Sequence, residues 1–390
     1  MTHLYSIKPS LLATLAPLIL TTSFNSFADS PQRFDPSGCK NGASDPDNCH
    51  QHIKTAQEFW KYAVMAADTY RKIDQITWKR LVANSLTADT TNDSSTTCDT
   101  SNRKSPDYNF ECEAAERYGD RTFVSKPVEN ITFDDCNTTS PSGDQQNVAV
   151  PILIPDWNRL MDFDKTPTPK GWWVFVPGLF LEVWTREPAT RSPDDKPEYA
   201  IVFRGTQGGG GWWSNLRFLT SLIPLFHDQY SQADWAFARI LDQIAIREQK
   251  MSKNQENRPL PHITVVGHSL GAGLAFYSAF RNKGINRIIA FNPSPITGYF
   301  REDPTTRAEN LESVKQVDVI FENSEILHYI NHCNNGEQLD PNVPVTVSCH
   351  QLNLSGGSPV SQHEMGPMAC KLTAIARQAA SNPEVSSNAK

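Results

Sequence analysis

The chain of 390 residues lacks four features that would direct its function elsewhere. It has no block of clustered lysines and arginines, and its 36 basic and 43 acidic residues give a net charge of -7. Such a mildly acidic chain gives no electrostatic reason to expect nucleic-acid binding. None of its eight cysteines stands in a C-x-x-C pair, so no cysteine zinc cluster is expected. The chain also has no internal repeat and, after residue 28, no apolar run that could span a bilayer.

The first 28 residues have the organisation of a secretory signal. Lys8 supplies a positive charge, residues 11–20 form an apolar stretch, and residues 26–28 (Ser-Phe-Ala) are a small-x-small cleavage site. The apolar stretch is short for a membrane span, and an uncleaved anchor is the alternative. We therefore expect a secreted or periplasmic protein with no integral membrane segment once the signal is removed.

All eight cysteines follow the signal, at positions 39, 49, 98, 112, 136, 333, 349 and 370. An even number of cysteines in an exported chain predicts disulfides. The sequence alone leaves the connectivity open. We expect Cys39–Cys49 and Cys333–Cys349, because each pair would close a short local loop.

From residue 198 onward, apolar β-branched runs alternate with helical patterns. The predicted strands are residues 199–203, 262–266, 287–291 and 317–321, and the predicted helices are 231–250, 270–283 and 368–379. This alternation predicts an α/β fold with a mainly parallel, doubly wound sheet and flanking helices.

The first half of the chain is less regular. We expect an irregular arm over residues 29–54, followed by a helix over 55–73, where the apolar residues have helical spacing. A proline-rich connection over 151–169 leads to a predicted strand pair at 172–176 and 179–185. Residues 84–147 are polar and contain three cysteines. A structureless stretch of that length is unusual in a compact domain, so we expect a disulfide-pinned insertion there, within a single domain over residues 29–390.

The most informative motif is Gly-His-Ser-Leu-Gly at residues 267–271. It follows the apolar run 263–266 and precedes an Ala-rich helical pattern, which predicts a strand, a sharp turn and a helix with Ser269 at the apex. A strained turn of this kind leaves no room for Cβ atoms at Gly267 and Gly271. This geometry presents the Ser269 hydroxyl beside a helix N-terminus that favours developing negative charge. A plain glycine turn is the structural alternative.

A nucleophilic serine needs a histidine to take its proton and a carboxylate to orient that histidine. In a fold of this type the acid follows the serine, and the histidine comes last. Glu325 follows the predicted strand 317–321 and is the expected acid. Asp318 lies inside that strand, so it is the alternative acid and more easily understood as a structural charge. His363, in a polar loop before the last helix, is the expected base.

The other histidines have weaker claims to a catalytic role. His350 is the second candidate for the base, and His268 is expected to serve in packing or hydrogen bonding. His328 and His332 have the i, i+4 spacing of a metal pair, but no third ligand is evident, so packing is expected for both. We therefore expect no metal and no organic cofactor.

An oxyanion hole requires amide donors aimed at the tetrahedral intermediate. The amide of Leu270, next to the nucleophile, is the first expected donor. Thr206, at the end of the strand 199–203, is the second, with its amide and its hydroxyl. A simple turn residue is the alternative for Thr206.

Taken together, Phe-Arg-Gly-Thr at 203–206, Trp-Ser-Asn-Leu at 213–216, His227 and the motif at 267–271 resemble the class 3 lipases, the fungal-type lipase family of the α/β-hydrolase fold. The resemblance covers about residues 55–73 and 170–380. It implies Ser269 as nucleophile, Thr206 as oxyanion residue and His363 as base. The acid falls on Glu325, where the family usually has aspartate. The insertion at 84–147 has no counterpart in the resemblance.

Residues 207–226 contain four successive glycines and then a mostly apolar, aromatic stretch. We expect a mobile lid that covers an acyl groove and opens towards a lipid surface. A core helix is the alternative. The expected lid and substrate-binding residues are Trp212, Trp213, Leu216, Phe218 and Leu222.

The resulting expectation is a secreted serine carboxylester hydrolase, a lipase that cleaves acylglycerol esters through an acyl-enzyme. A phospholipase A1 or a feruloyl-type esterase is the alternative on the same scaffold, since a fold does not decide the substrate. The alternative from another class is a catalytically inactive module that binds lipid or protein. The expected partner is a lipid or acyl-ester substrate, with transient contact between the lid and a lipid interface.

Overall fold

A computed structural model describes about half of the chain. The described residues are 46–70, 126–127, 131–133, 137–139, 145–147, 150–152, 154–164, 179–189, 195–205, 229–252, 258–296, 299, 302–323, 325–329, 333–354, 359 and 361–381. The predicted signal at 1–28, most of the predicted insertion and the predicted lid at 207–226 lie outside this part of the chain.

Five α-helices and thirteen strands are present in these residues. The helices are α1 (Pro46–Asp68), α2 (Gln229–Ser252), α3 (Leu270–Arg281), α4 (Pro304–Leu311) and α5 (Met365–Ser381). The strands are β1 (Lys126–Pro127), β2 (Ile131–Phe133), β3 (Asn137–Thr139), β4 (Gln145–Asn147), β5 (Val150–Ile152), β6 (Asn158–Asp164), β7 (Phe180–Arg186), β8 (Glu198–Phe203), β9 (His262–His268), β10 (Arg287–Phe291), β11 (Gln316–Glu322), β12 (Gln338–Asp340) and β13 (Val343–Leu352).

Nine of these strands form one sheet, in the order β1-β6-β7-β8-β9-β10-β11-β13-β12. The five central strands, β8, β9, β10, β11 and β13, run parallel to one another. Antiparallel strands extend the sheet at both edges: β1, β6 and β7 on one side and β12 on the other. The predicted α/β class with a parallel, doubly wound core is therefore confirmed.

Helices cover both faces of the sheet, so the central strands can be apolar on both sides. Along β8, Tyr199, Ile201 and Phe203 join one core cluster with residues of α2, α3 and α4, while Ala200 and Val202 join a second cluster with α1 and α5. In α5 the buried apolar residues recur at helical spacing: Met365, Met368, Ala369, Leu372, Ile375, Ala376 and Ala379.

Several boundaries differ from the sequence-based expectations. The arm predicted over 29–54 is helical from Pro46 onward, because Ile53 and Ala56 continue the apolar face of α1 against α5. The connection predicted over 151–169 contains β6, which joins the sheet through antiparallel hydrogen bonds to β7. The polar stretch at 84–147 contributes β1 to the sheet edge and the short strands β2, β3 and β4.

The predicted Cys333–Cys349 disulfide is present and closes a loop with a sequence separation of 16. Cys49 and Cys370 are also disulfide-bonded. Cys39, Cys98, Cys112 and Cys136 lie outside the described residues, so the predicted Cys39–Cys49 pair stays a prediction. Within the described part of the chain, no helix is both long and apolar enough to cross a membrane.

Candidate active site

The candidate site lies where the central parallel strands end. Gly205 follows β8, Ser269 follows β9, Asn292 follows β10 and Glu325 follows β11, while His363 lies two residues before the start of α5. In open α/β sheets, ligands bind at this carboxyl edge. The site therefore collects side chains that are far apart in sequence.

Ser269 occupies a strained turn between β9 and α3. Its φ of 57° and ψ of -126° lie in a region that residues with a side chain rarely adopt. The turn is held by the Ser269 amide, which donates to the carbonyl of Phe291 at 3.0 Å. Strain of this kind persists only where the surroundings enforce it, and it is concentrated at functional sites.

The two glycines of the motif are required by close backbone contacts. A Cβ at Gly267 would lie 2.2 Å from the carbonyl oxygen of Gly271. A Cβ at Gly271 would lie 2.3 Å from the carbonyl oxygen of Phe203, on the neighbouring strand β8. Since both neighbours are backbone atoms, neither contact could be relieved by moving a side chain. The steric reason predicted for these glycines agrees with this geometry.

The structure brings Ser269, His363 and Glu325 into one hydrogen-bonded chain. Ser269 Oγ lies 2.9 Å from His363 Nε2, and His363 Nδ1 lies 2.8 Å from Glu325 Oε2. The same carboxylate oxygen accepts the amide of Leu327 at 2.8 Å, and Glu325 is 1% exposed. A buried carboxylate with two hydrogen-bond partners can hold the imidazole in one orientation and leave Nε2 facing the hydroxyl.

Asn292 connects the loop of the acid with the loop of the base, and sequence reasoning missed it. This fully buried residue has a φ of 40°, and its Oδ1 accepts the amide of Glu322 at 3.0 Å. Its Nδ2 donates to the carbonyls of Gln362 at 3.3 Å and His363 at 3.4 Å. The signal in the sequence is an asparagine directly after a strand, since asparagine tolerates a positive φ.

Two expected oxyanion donors have different outcomes. Leu270 is the first residue of α3, so its amide has no acceptor within the helix and lies beside Ser269. Thr206 lies just outside the described residues. The preceding Gly205 packs against the serine turn, because a Cβ there would lie 3.0 Å from Ser269 Cβ.

The alternative acid and base bind each other away from Ser269. Asp318 accepts from Arg287 Nε at 2.8 Å and lies 3.1 Å from His350 Nε2. Arg287 also pairs with Glu58 of α1 at 2.5 Å. This cluster attaches α1 to the sheet, which gives Asp318 the structural role that was expected for it.

Neither the histidine pair at 328 and 332 nor the predicted lid has side chains among the described residues. The backbone of His328 lies in the 3-10 helix Ile326–Tyr329, and His332 lies outside the described residues. Within the described residues, no group of three His, Cys, Asp or Glu side chains is arranged to hold a metal ion. Trp212, Trp213, Leu216, Phe218 and Leu222 also lie outside them.

Comparison with known proteins is consistent with this chemistry. A sequence model described as Lipase (class 3) matches residues 200–292, which contain both Gly205 and the serine turn. The resemblance to class 3 lipases is thereby confirmed over this segment, and it supports a hydrolase of the lipase and esterase class. None of the curated proteins matches the chain.

The comparison with solved structures returned two crystal forms of the Pyrococcus furiosus esterase Pf2001, both with low scores. The form in space group C2221 is 14% identical, covering 45% of this chain and 78% of that chain, with a TM-score of 0.19. The form in P212121 is 13% identical, covering 52% and 87%, with a TM-score of 0.20. Scores this low carry no inference about fold or activity.

Proposed function

We propose that the protein is a serine ester hydrolase that acts as a lipase through an acyl-enzyme. The observation that supports this most directly is the chain of two hydrogen bonds, 2.9 Å and 2.8 Å long, from Ser269 Oγ through His363 to Glu325. Together with the class 3 lipase match over residues 200–292, it favours acyl transfer over a binding role.

The proposed mechanism follows from the order of the donors. Glu325 Oε2 accepts a hydrogen bond from the Nδ1–H of His363, which leaves the Nε2 lone pair to take the proton of Ser269 Oγ–H. The oxygen then attacks the ester carbonyl, and the intermediate's oxyanion faces the Leu270 amide and, in this proposal, Thr206. When the ester C–O bond breaks, the proton on Nε2 passes to the leaving alcohol.

Deacylation repeats these steps with water. His363 Nε2 removes a proton from a water molecule, whose oxygen attacks the acyl carbonyl. Collapse of the second tetrahedral intermediate breaks the bond to Ser269 Oγ, which regains its proton as the carboxylic acid leaves. The proposal requires no metal and no organic cofactor.

The substrate assignment rests on the composition of residues 207–226. Fifteen mostly apolar residues after a glycine hinge suit a lid over an acyl groove, so we propose acylglycerol esters and transient contact with a lipid interface. The organisation of residues 1–28 favours export, to the periplasm or the medium. Phospholipase A1 and feruloyl-type esterase activities are the other substrates to test on this scaffold.

The test is hydrolysis of a p-nitrophenyl ester series, from acetate to palmitate, by the wild type and the Ser269→Ala variant. Ser278→Ala is the matched control, because it removes a buried hydroxyl from α3 without touching the proposed triad. We expect a rate that rises with chain length, falls at least about 10³-fold in Ser269→Ala and is unchanged in Ser278→Ala. No wild-type turnover would favour the binding-module alternative, and equal rates in wild type and Ser269→Ala would contradict the assignment of Ser269 as the nucleophile.

A further inference from the structure

A second hydrogen-bonded chain runs behind the proposed triad and ends on the backbone of His363. The amide of Gly205 donates to Tyr70 Oη at 2.9 Å, and Tyr70 Oη lies 2.7 Å from His268 Nδ1. His268 Nε2 lies 2.7 Å from the carbonyl oxygen of His363. Tyr70 lies two residues after the end of α1, so three distant parts of the chain meet here.

The direction of these bonds follows from their chemistry. A carbonyl oxygen only accepts, so His268 Nε2 carries the hydrogen and donates it to His363. The pKa of His268 is held well below its usual value, mainly by burial and to a smaller extent by the nearby His363. The ring is therefore neutral, and Nδ1 keeps its lone pair. Burial raises the pKa of Tyr70, so its hydroxyl stays protonated and donates a hydrogen bond to His268 Nδ1.

The two ends of this chain are the two loops that the reaction needs. Gly205 precedes Thr206, the proposed oxyanion residue, and His363 is the proposed base. The contacts are close: a Cβ at Gly205 would lie 2.4 Å from Tyr70 Oη and 2.7 Å from the carbonyl of His268. The His268 and His363 rings also pack, with centroids 4.9 Å apart.

We infer that Tyr70 and His268 are positioning residues. Their hydrogen bonds hold Gly205, which precedes the proposed oxyanion residue Thr206, and the proposed base His363 in fixed positions relative to Ser269. The inference rests on the proposed function, because it assigns them a role in that reaction. Neither side chain touches the reacting atoms in this scheme. Asn292 is a second donor to the His363 carbonyl, at 3.4 Å, so we expect loosening of the base rather than its release.

The test uses variants that cut the chain at different bonds. Tyr70→Phe removes the bonds to Gly205 and His268. His268→Asn keeps an amide near Tyr70 but cannot reach His363, whereas His268→Gln can still donate to the His363 carbonyl. Tyr62→Phe is the matched control, because it removes from α1, the helix just before Tyr70, a tyrosine hydroxyl that hydrogen-bonds Thr264 instead of His268.

The readout is kcat and KM on a soluble p-nitrophenyl ester, well below the melting temperature of each variant. We expect kcat to fall about 10- to 100-fold in Tyr70→Phe and His268→Asn with KM within about twofold, since small misplacements of catalytic groups have effects of this size. His268→Gln should recover part of the loss, and Tyr62→Phe should match the wild type. Combining Tyr70→Phe with His268→Asn should add little, because the chain is already cut.

Three results would overturn the positioning role. The first is a kcat in Tyr70→Phe equal to that of the wild type. The second is an equal loss of kcat in His268→Asn and His268→Gln. The third is a loss of kcat in each variant that is fully explained by its fraction of unfolded protein. Each of these requires an active wild type, so the failure is separate from that of the proposed function. If the wild type hydrolyses no ester, the proposed function fails, and the positioning role fails with it.

Discussion

At the scale of single residues, the acid of the proposed triad is a glutamate whose side chain is long enough to reach His363 from the turn after β11. Glu325 begins three residues after β11 ends, and one carboxylate oxygen contacts both His363 Nδ1 and the Leu327 amide. Because the side chain is 1% exposed, water cannot easily replace a lost partner. The length of the side chain is therefore part of the geometry.

Two substitutions test the acid against its alternative. Glu325→Gln replaces the acceptor by an amide, and Glu325→Asp withdraws the carboxylate by roughly one carbon–carbon bond, about 1.5 Å. We expect kcat to fall about 10²- to 10⁴-fold in both variants, with KM little changed.

Asp318→Asn is the control for these variants, because Asp318 binds Arg287 and His350 instead of His363. It should lower the melting temperature and leave kcat near the wild-type value. A large loss of kcat in Asp318→Asn, with full activity in Glu325→Gln, would contradict the assignment of the acid.

At the scale of secondary-structure elements, the serine turn depends on contact between β8 and the start of α3. Gly271→Ala would bring a Cβ to 2.3 Å from the Phe203 carbonyl oxygen, whereas at Gly273 the nearest atoms are Ser294 Oγ at 3.0 Å and Tyr230 Oη at 3.1 Å. The first contact is with backbone and the second with side-chain ends. We expect Gly271→Ala to lower the free energy of unfolding by about 3 kcal/mol or more, and Gly273→Ala by no more than about 1 kcal/mol.

Urea unfolding of the two glycine variants, followed by circular dichroism, measures this difference. The pair is well matched, because both glycines are buried in α3 and differ only in what surrounds them. Equal destabilisation by the two variants would argue against a backbone clash as the reason for Gly271.

The Cys333–Cys349 disulfide acts on the segment that follows the acid. It ties this segment to β13, and its sequence separation of 16 corresponds to about 3 kcal/mol in the chain-entropy account. We expect the Cys333→Ser, Cys349→Ser double variant to unfold at a lower temperature, measured calorimetrically against the wild type. An unchanged melting temperature would mean that packing alone holds this segment.

At the scale of the whole molecule, the buried His268 makes stability depend on pH. Its pKa is lowered in the folded state, so below about pH 6.5 the unfolded chain binds a proton that the folded chain does not. Stability is therefore lost as pH falls below about 6.5, at up to about 1.4 kcal/mol per pH unit, until the folded-state pKa is reached. Denaturant unfolding at pH 7.5, 6.5 and 5.5 should show a smaller dependence in His268→Gln than in the wild type, and equal slopes would contradict this origin.

Much of the architecture could be predicted from local patterns, and the exceptions have physical reasons. Helix α1 begins earlier than predicted because its first turns pack on α5, a partner more than 300 positions away. Strand β13 has no continuous apolar run: its first five residues alternate between buried and exposed positions, so its signal is a period of two. Strand β6 lies between β1 and β7 and pairs with both in antiparallel orientation, so strand pairing rather than composition explains it.

The sequence by itself determined the features that neighbouring residues encode: the strand, turn and helix around Ser269, the alternation of the parallel core, and the short loop closed by Cys333–Cys349. Only the tertiary structure decided which histidine faces Ser269 and which acid faces that histidine, since His350 and Asp318 were available in the same sequence. It alone revealed Asn292 and the contact between Tyr70 and His268, which are 198 positions apart. Such contacts depend on the order of the strands in the sheet, and no local pattern carries that order.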